Sequence, residues 1–245
     1  MDQYPKSTLR PCGNAAFTLV ELLVTITIIM TLAALAFMGM KKMRAAADRT
    51  LSLGNLSQIQ IANASYATDN NGRFVSTFTK DEKGKTGGLW DRNSRFLDEY
   101  VGTGPLSEGQ NQEDRVPESA LDPVAYRAGM AGYDTLKASY GMFSREGYTA
   151  SSTDIDSSYL MSELNQPHRT AAFSTALNWL VQYGGRFHWS GVEGKVNAPA
   201  MAYRHNEKAL VVYYDGHVGE VTMGDLRTID KQGGKNHPFW SGTAK

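Results

Sequence analysis

The side chains best suited to acid–base or metal chemistry lie near the C-terminus, between residues 204 and 222. His205, Asp215 and His217 bring two imidazoles and a carboxylate into this short stretch of chain. Such groups can bind a metal ion or act as a general acid–base pair when they come together. Asp215-Gly216 is also a common turn dipeptide, and a histidine beside a turn often bonds only the backbone. The turn role is favoured, and the metal and acid–base roles stay open.

A second set of residues offers oxygen ligands for a calcium ion. The candidate carboxylates are Asp154, Asp156, Asp215 and Asp225. Calcium takes about six to eight oxygen ligands, and the regular ligand spacing of an EF-hand loop does not occur in this sequence. The sequence therefore provides candidate oxygens for Ca²⁺, but it predicts neither an ordered ligand set nor any other cofactor.

The composition argues against several classes of function. The 245 residues include 25 basic and 25 acidic side chains, and a net charge of zero does not favour nucleic-acid binding. The sequence contains no G-x-S-x-G, H-E-x-x-H, phosphate-binding-loop or dinucleotide-binding motif, so no enzyme activity is predicted. The single cysteine, Cys12, cannot form a disulfide within the chain.

Residues 17–40 form an apolar run of 24 residues with one charged side chain, Glu21. About 20 apolar residues are enough for a helix to cross a bilayer. A carboxylate in such a segment is costly and needs a partner. Basic residues are more numerous just after the run than before it, and that count alone favours a cytoplasmic C-terminal domain.

Small residues precede this apolar run, whereas an ordinary secretory signal has them after a shorter run. With Lys6 and Arg10 in a short polar leader, the pattern resembles the N-terminal signal of type IV pilins and type II secretion pseudopilins. The resemblance implies that a prepilin peptidase cleaves between Ala16 and Phe17 and that Phe17 is then N-methylated. The family usually has glycine before the cleavage site, where this chain has Ala16. Removal of the leader also removes Cys12.

Cleavage at that bond makes Glu21 the fifth mature residue. The resemblance implies that its carboxylate pairs with the new amine of Phe17 in a neighbouring subunit and fixes the axial register of a filament. The alternative is that Glu21 simply lies at a helix N-terminus, where the helix dipole stabilises its charge. The implied partners are other copies or homologous pseudopilins, the prepilin peptidase, an inner-membrane assembly platform and the lipid bilayer, with no nucleic acid.

The helix is predicted to continue beyond the membrane. The residues that recur every three or four positions are Leu53, Leu56, Ile59, Asn63 and Tyr66. This spacing places them on one helical face, which would pack on a sheet. Residues 69–72 form a stop signal in which Gly72 suits a left-handed cap. The predicted helix has about 50 residues, or roughly 75 Å at the usual rise.

The remaining chain predicts a small C-terminal sheet. Residues 79–135 are predicted as a loop-rich insertion with a short helix at 94–100. The predicted strands are 138–143, 170–174, 209–214 and 217–222, and the last two form a hairpin around a type I′ turn at Asp215-Gly216. His205 followed by nine residues and then Asp215-Gly216 resembles the C-terminal signature of one pseudopilin-like family.

These elements define an α+β fold in which a long N-terminal helix packs its second half on a small antiparallel C-terminal sheet. The predicted parts are a leader at 1–16, a transmembrane helix at 17–40, its periplasmic continuation at 41–70 and a globular head at 71–245. The resemblance implies a single-pass inner-membrane protein whose head lies in the periplasm or outside the cell.

Three functions fit the sequence. The first is a structural subunit of a type II secretion pseudopilus or a type IV pilus-like filament. The second is a membrane-anchored binding module that does not polymerise and uses the loops of residues 80–132. The third is an anchored periplasmic hydrolase that uses His205, Asp215 and His217. The N-terminal pattern favours the first function.

Overall fold

The described structure is a computed structural model that covers residues 17–80, 86–103, 118–128, 139–145, 158–193 and 199–243. The chain divides into two compact units, Met1–Arg44 and Ala45–Lys245. Helix α1 (Leu19–Asp69) supplies most of the described part of the first unit and continues into the second. Its 51 residues agree with the predicted length of about 50. In the described part of the chain, α1 is the one helix that is long and apolar enough to span a membrane.

The C-terminal end of α1 has the predicted glycine cap. The Gly72 N–H donates to the carbonyl of Ala67 at 2.8 Å, which closes the last turn. Asn71 and Gly72 adopt left-handed backbone angles, with φ of 56° and 77°. Glycine and asparagine are the residues that adopt this conformation most readily, so the stop signal works through local backbone chemistry.

In its described part, the second unit is built on strands of two to six residues and on two short helices. The elements are β1 (Phe78–Lys80), β2 (Thr86–Leu89), α2 (Pro123–Arg127), β3 (Tyr140–Phe143), β4 (Ala171–Thr175), β5 (Leu180–Val181), β6 (Lys208–Tyr213), β7 (Val218–Thr222) and α3 (Met223–Lys231). β1 and β2 form an antiparallel pair inside the region that the sequence predicted as loops. The short helix predicted at 94–100 is present as a π-helical turn at Phe96–Val101.

The main sheet has five strands in the order β5-β3-β4-β6-β7. The pairs β3–β4, β4–β6 and β6–β7 are antiparallel, as predicted. β5 differs, because it pairs with β3 in the parallel direction. The chain reverses direction after β4, so β5 runs antiparallel to β4 and therefore parallel to β3. The sheet is thus mixed at one edge.

Both faces of the sheet are covered. Leu210 of β6 lies in a buried cluster with Leu56 and Ile59 of α1. Val211, the next residue, points to the other face and lies in a second cluster with Leu226 of α3. Full burial of a leucine or isoleucine side chain is worth about 1.5–3 kcal/mol, so such contacts hold the second half of α1 on the sheet. The predicted packing of this helix face is confirmed.

Candidate functional site

The start of α1 is fixed by reciprocal hydrogen bonds between Thr18 and Glu21. The Thr18 N–H and hydroxyl donate to Glu21 Oε2 at 2.9 and 2.8 Å, and the Glu21 N–H donates to the Thr18 hydroxyl at 3.2 Å. This arrangement is a capping box, and it places the carboxylate at the positive end of the helix dipole. Because these bonds use Oε2, the second carboxylate oxygen, Oε1, is available to another donor.

The side chains of the apolar segment are exposed in the single chain, including Phe17 at 76% and Leu35 at 63%. The hydroxyls of Thr25, Thr27 and Thr31 each donate to a carbonyl three residues earlier in the same helix, at 2.8 Å. The polar groups of these threonines are therefore satisfied within the helix, as a lipid or apolar helical environment requires. Ala16 and the rest of the leader lie outside the described residues.

At the far end of β6, Asp215 and His217 form an exposed pair. Asp215 Oδ1 lies 2.6 Å from His217 Nδ1 and also accepts the His217 N–H at 3.2 Å. The His217 ring stacks on Tyr213 with 4.1 Å between ring centroids. Asp215 and His217 therefore lie on the same side of the hairpin end. Their arrangement is that of a turn with a packed imidazole.

The predicted turn type at Asp215-Gly216 is wrong. The Gly216 N–H donates to the Tyr213 carbonyl at 2.9 Å, and the Tyr213 N–H donates to the His217 carbonyl at 3.0 Å. Gly216 has a positive φ of 93°, whereas Asp215 does not have a positive φ. A type I′ turn requires positive φ at both central residues. The loop is instead a three-residue connection in which a turn is followed by a left-handed glycine.

A two-residue turn with both central residues left-handed occurs at the other end of β6. Asn206 and Glu207 have φ of 53° and 61°. His205 and Lys208 flank them and exchange two backbone hydrogen bonds of 3.2 Å each. Asparagine tolerates this conformation, but glutamate does so at a cost of about 1–2 kcal/mol. No turn was predicted here from the sequence, because Asn-Glu is not a typical turn pair.

His205 lies at this end of β6 and does not join Asp215 and His217. Its side chain is buried, and its Nε2 lies 2.8 Å from Oδ2 of Asp122. The constellation that a hydrolase or metal site at His205, Asp215 and His217 needs is therefore not formed. The reason is geometric, because an extended six-residue strand separates the two histidines.

Asp122 is the centre of a buried polar cluster. Its Oδ1 accepts the N–H groups of Val124 and Ala125 at 2.9 and 3.1 Å and so caps α2. Its Oδ2 accepts the Ser52 hydroxyl of α1 at 3.1 Å in addition to the contact with His205. The carboxylate therefore links the beginning of α2, the middle of α1 and the start of the C-terminal hairpin.

Arg204 supplies the positive charge of this cluster. Its guanidinium lies 3.8 Å from Asp122 and bonds both oxygens of Glu193 at 2.8 and 3.0 Å. It also donates to the carbonyls of Ser139 and Ala176 at 3.2 and 2.9 Å. Burial alone raises the pKa of Asp122, but the Arg204 charge and the His205 hydrogen bond outweigh burial and hold that pKa below its ordinary value.

The calcium candidates do not come together in the described part of the chain. Asp225 is bonded to the Thr222 N–H and hydroxyl and closes a capping box at the start of α3. Asp215 lies at the opposite end of β7 from Asp225. Asp154 and Asp156 lie outside the described residues. Among the described residues, no group of three or more histidine, cysteine, aspartate or glutamate side chains could hold a metal ion.

Sequence reasoning missed Asp122 and Arg204. One local signal exists, because aspartate followed by proline is a typical start of a helix with the aspartate as N-cap. No local signal could have linked Asp122 to His205, which lies 83 positions further along the chain.

Comparison with known proteins supports the interpretation of the N-terminus. A family model described as the prokaryotic N-terminal methylation motif matches residues 12–37. That range includes the end of the leader, Phe17, Glu21 and most of the apolar segment. With the long apolar helix, the match supports a membrane-anchored, type IV pilin-like protein that is a substrate of prepilin peptidase. No curated protein and no solved structure matches the chain.

Proposed function

We propose that this chain is a structural subunit of a type II secretion pseudopilus or a related type IV pilus-like filament. Prepilin peptidase removes residues 1–16, Phe17 is N-methylated, and subunits polymerise through the apolar half of α1. The observation that carries the proposal is that the methylation motif at 12–37 coincides with an exposed apolar helix whose first turn holds Glu21 in a capping box with Thr18. No chemical reaction is assigned to the chain itself.

The geometry of Glu21 supports a role in subunit register. After cleavage, the Phe17 amine carries a positive charge at the edge of an apolar segment, where an unpaired charge is costly. The capping box leaves Glu21 Oε1 available to accept a bond from the Phe17 amine of a neighbouring subunit. Such a contact runs from one subunit to the next without closing a ring, which is the geometry that builds a filament.

The proposed location is the inner membrane, with one span and the second unit in the periplasm or outside the cell. The basic residues after the span argue for the opposite orientation. We give the N-terminal motif precedence, because prepilin peptidase acts on the cytoplasmic side and the span remains on the mature chain. The proposed partners are other copies or homologous pseudopilins and an inner-membrane assembly platform with its ATPase.

Intact mass and N-terminal sequencing of the protein from its native membrane test the proposed processing. We expect a chain that begins at N-methylated Phe17 and lacks residues 1–16. A chain that still contains Cys12, or one that is cut after residue 40, would contradict the proposal.

Substitutions of Glu21 test the proposed register contact. Glu21→Gln keeps a side-chain acceptor for the Thr18 capping box but removes the charge that pairs with the amine. We expect Glu21→Gln, like Glu21→Ala, to be cleaved and inserted normally but to lose filament assembly at least about tenfold. Thr18→Ala is the matched control, because it weakens the cap and keeps the charge. Assembly lost in Thr18→Ala but kept in Glu21→Gln would assign Glu21 to capping alone.

A non-polymerising anchored binding module is the alternative function. The observation in its favour is a cavity of about 490 Å³ whose walls include Trp189, Tyr203 and Met223. Much of the 80–132 segment, which the sequence suggested as a binding surface, lies outside the described residues. Glu21→Ala separates the two functions, because an anchored binder keeps its ligand binding and a filament subunit loses assembly.

A further inference from the structure

Both ends of β6 are attached to α1 by buried polar contacts. At the N-terminal end, His205 bonds Asp122, which also accepts the Ser52 hydroxyl of α1. We call this contact, formed by Ser52, Asp122, Arg204 and His205, the Asp122 junction. Ser52, Asp122 and His205 are all at least nine-tenths buried. Hydrogen bonds to a buried charged group are stronger than neutral ones and are expensive to lose.

At the C-terminal end of β6, Gln60 of α1 donates to the carbonyl of Tyr214 at 2.9 Å. Asn63, one turn further along α1, donates to Gln60 at 3.1 Å and accepts the Val75 N–H at 3.0 Å. We call the contact formed by Gln60, Asn63 and Tyr214 the Gln60 junction. Gln60 and Asn63 are almost fully buried, so an amide left without its partner there would be costly.

The loop after β6 brings Tyr214 to this junction. Because Gly216 is left-handed, the chain reverses within three residues, and Tyr214 turns inward. The Tyr214 ring packs edge-on against Phe74 and Tyr159, with centroid distances of 4.8 and 5.6 Å. Its N–H donates to the Thr170 carbonyl at 3.1 Å. The Asp215-Gly216 turn therefore determines where the second junction lies.

Between the two junctions, the contact described between α1 and β6 is a buried cluster of apolar side chains. Leu56 and Ile59 lie between Ser52 and Gln60 on the helix, and Leu210 lies between His205 and Tyr214 on the strand. Apolar packing does not specify register closely, because neighbouring aliphatic side chains can replace one another. Two polar contacts of fixed geometry, one at each end, do specify it.

We infer that the nine-residue spacing between His205 and Asp215-Gly216 is the length of strand that lets both ends of β6 reach α1. His205 is then a positioning residue that acts through Asp122, and the spacing fixes the hairpin on α1. This inference does not depend on the proposed function, since it concerns the single subunit.

Amide hydrogen exchange of the mature full-length chain in detergent micelles tests the inference. His205→Leu removes the imidazole donor, and His217→Leu is the matched control at the exposed pair. We expect His205→Leu to speed exchange of the Val124 and Ala125 amides, which Asp122 caps, by about tenfold or more. The Val75 N–H, which donates to the Asn63 side chain, should stay protected from exchange. His217→Leu should change exchange neither at Val124 and Ala125 nor at Val75.

Gln60→Leu should give the reverse pattern, with faster exchange at Val75 and unchanged protection at Val124 and Ala125. In the double variant His205→Leu/Gln60→Leu, amide exchange should become faster along α1 from Ser52 to Asn63. One junction is enough to hold this part of the helix on the sheet, and the double variant lacks both. If amide exchange in the double variant is raised only at the sites that the two single variants already affect, and by no more than the sum of their effects, the two-point attachment would be overturned.

Ser52→Ala provides a milder variant if His205→Leu does not fold, since it removes one donor and leaves His205 and Arg204 on the carboxylate. We expect a rise of about threefold in exchange at Val124 and Ala125 and none at Val75. An equal rise at both junctions, or no rise at either, would overturn the inference. None of these outcomes depends on filament assembly, so a failure here leaves the proposed function to be judged by Glu21 and processing.

Discussion

Two histidine–aspartate pairs lie at opposite ends of β6, and they have similar distances but different surroundings. His205 and Asp122 are 2.8 Å apart, with side chains that are 2% and 0% exposed. His217 and Asp215 are 2.6 Å apart, with side chains that are 48% and 34% exposed. An exposed ion pair is screened by water and contributes little, whereas a buried carboxylate depends on each of its donors. The distance between two groups therefore does not rank the importance of a contact, and burial does.

The partners of the two aspartates show the same contrast. Asp215 bonds only within its own turn, to the side chain and N–H of His217, among the contacts described. Asp122 receives bonds from α1, from the backbone of α2 and from the hairpin. Because Asp122 joins segments that are far apart in sequence, its loss should disturb the tertiary structure. The loss of Asp215 should disturb one loop.

The largest expected difference is in the free energy of unfolding when each aspartate is replaced by alanine in turn. Asp122→Ala should lower the free energy of unfolding by about 3–5 kcal/mol, because Arg204 and His205 lose a buried partner. Asp215→Ala should lower it by no more than about 1 kcal/mol. Urea unfolding of the mature chain in detergent micelles measures both changes. Equal losses in the two variants would mean that burial does not distinguish the pairs.

The pH dependence of stability gives the next expected effect. The pKa of Asp122 is lowered in the folded chain, since Arg204 and the His205 hydrogen bond outweigh the opposing effect of burial. The unfolded chain, with an aspartate pKa of about 3.9, therefore takes up the proton first as the pH falls. The stabilisation from Asp122 is complete above that pH and is lost as the pH falls through the lower folded pKa.

Thermal unfolding measured between about pH 6 and about pH 2 checks this expectation. The wild-type melting temperature should fall steeply below about pH 4, and Asp122→Asn should lack that part of the fall. His217→Gln is the control from the exposed pair and should keep the wild-type slope. An unchanged slope in Asp122→Asn would show that another carboxylate controls acid stability.

The two turns that flank β6 give the smallest expected effect. Gly216→Ala should cost about 1–2 kcal/mol through its left-handed backbone alone, because no atom lies within 4 Å of an added Cβ. Glu207→Gly should instead stabilise the chain by about 0.5 kcal/mol, since glycine removes strain at φ of 61° but adds entropy to the unfolded chain. Urea unfolding checks both signs, and destabilisation by Glu207→Gly would show that the Glu207 side chain has a role in the fold.

Much of the fold could be predicted from local patterns. The length of α1, its buried face and its stop at Gly72 follow from periodicity and from backbone chemistry within a few residues. The C-terminal hairpin followed from its β-branched and aromatic residues. The prediction of the turn type at Asp215-Gly216 was wrong because the choice between a two-residue and a three-residue connection depends on strand register, which packing sets. The parallel edge strand β5 has two residues, too few to show a pattern.

The N-terminal features of this protein can be recognised without a structure. A long apolar segment with one charge, preceded by small residues, is a linear pattern, and both the apolar helix and the match to the methylation motif depend on nothing further along the chain. Only the tertiary structure decided which histidine is buried. The residues around His205 and His217 do not show which of the two is buried, and His205 differs because folding brings Asp122, 83 positions away, against it. Burial and long-range pairing are properties of the packed chain, so no local pattern could assign them.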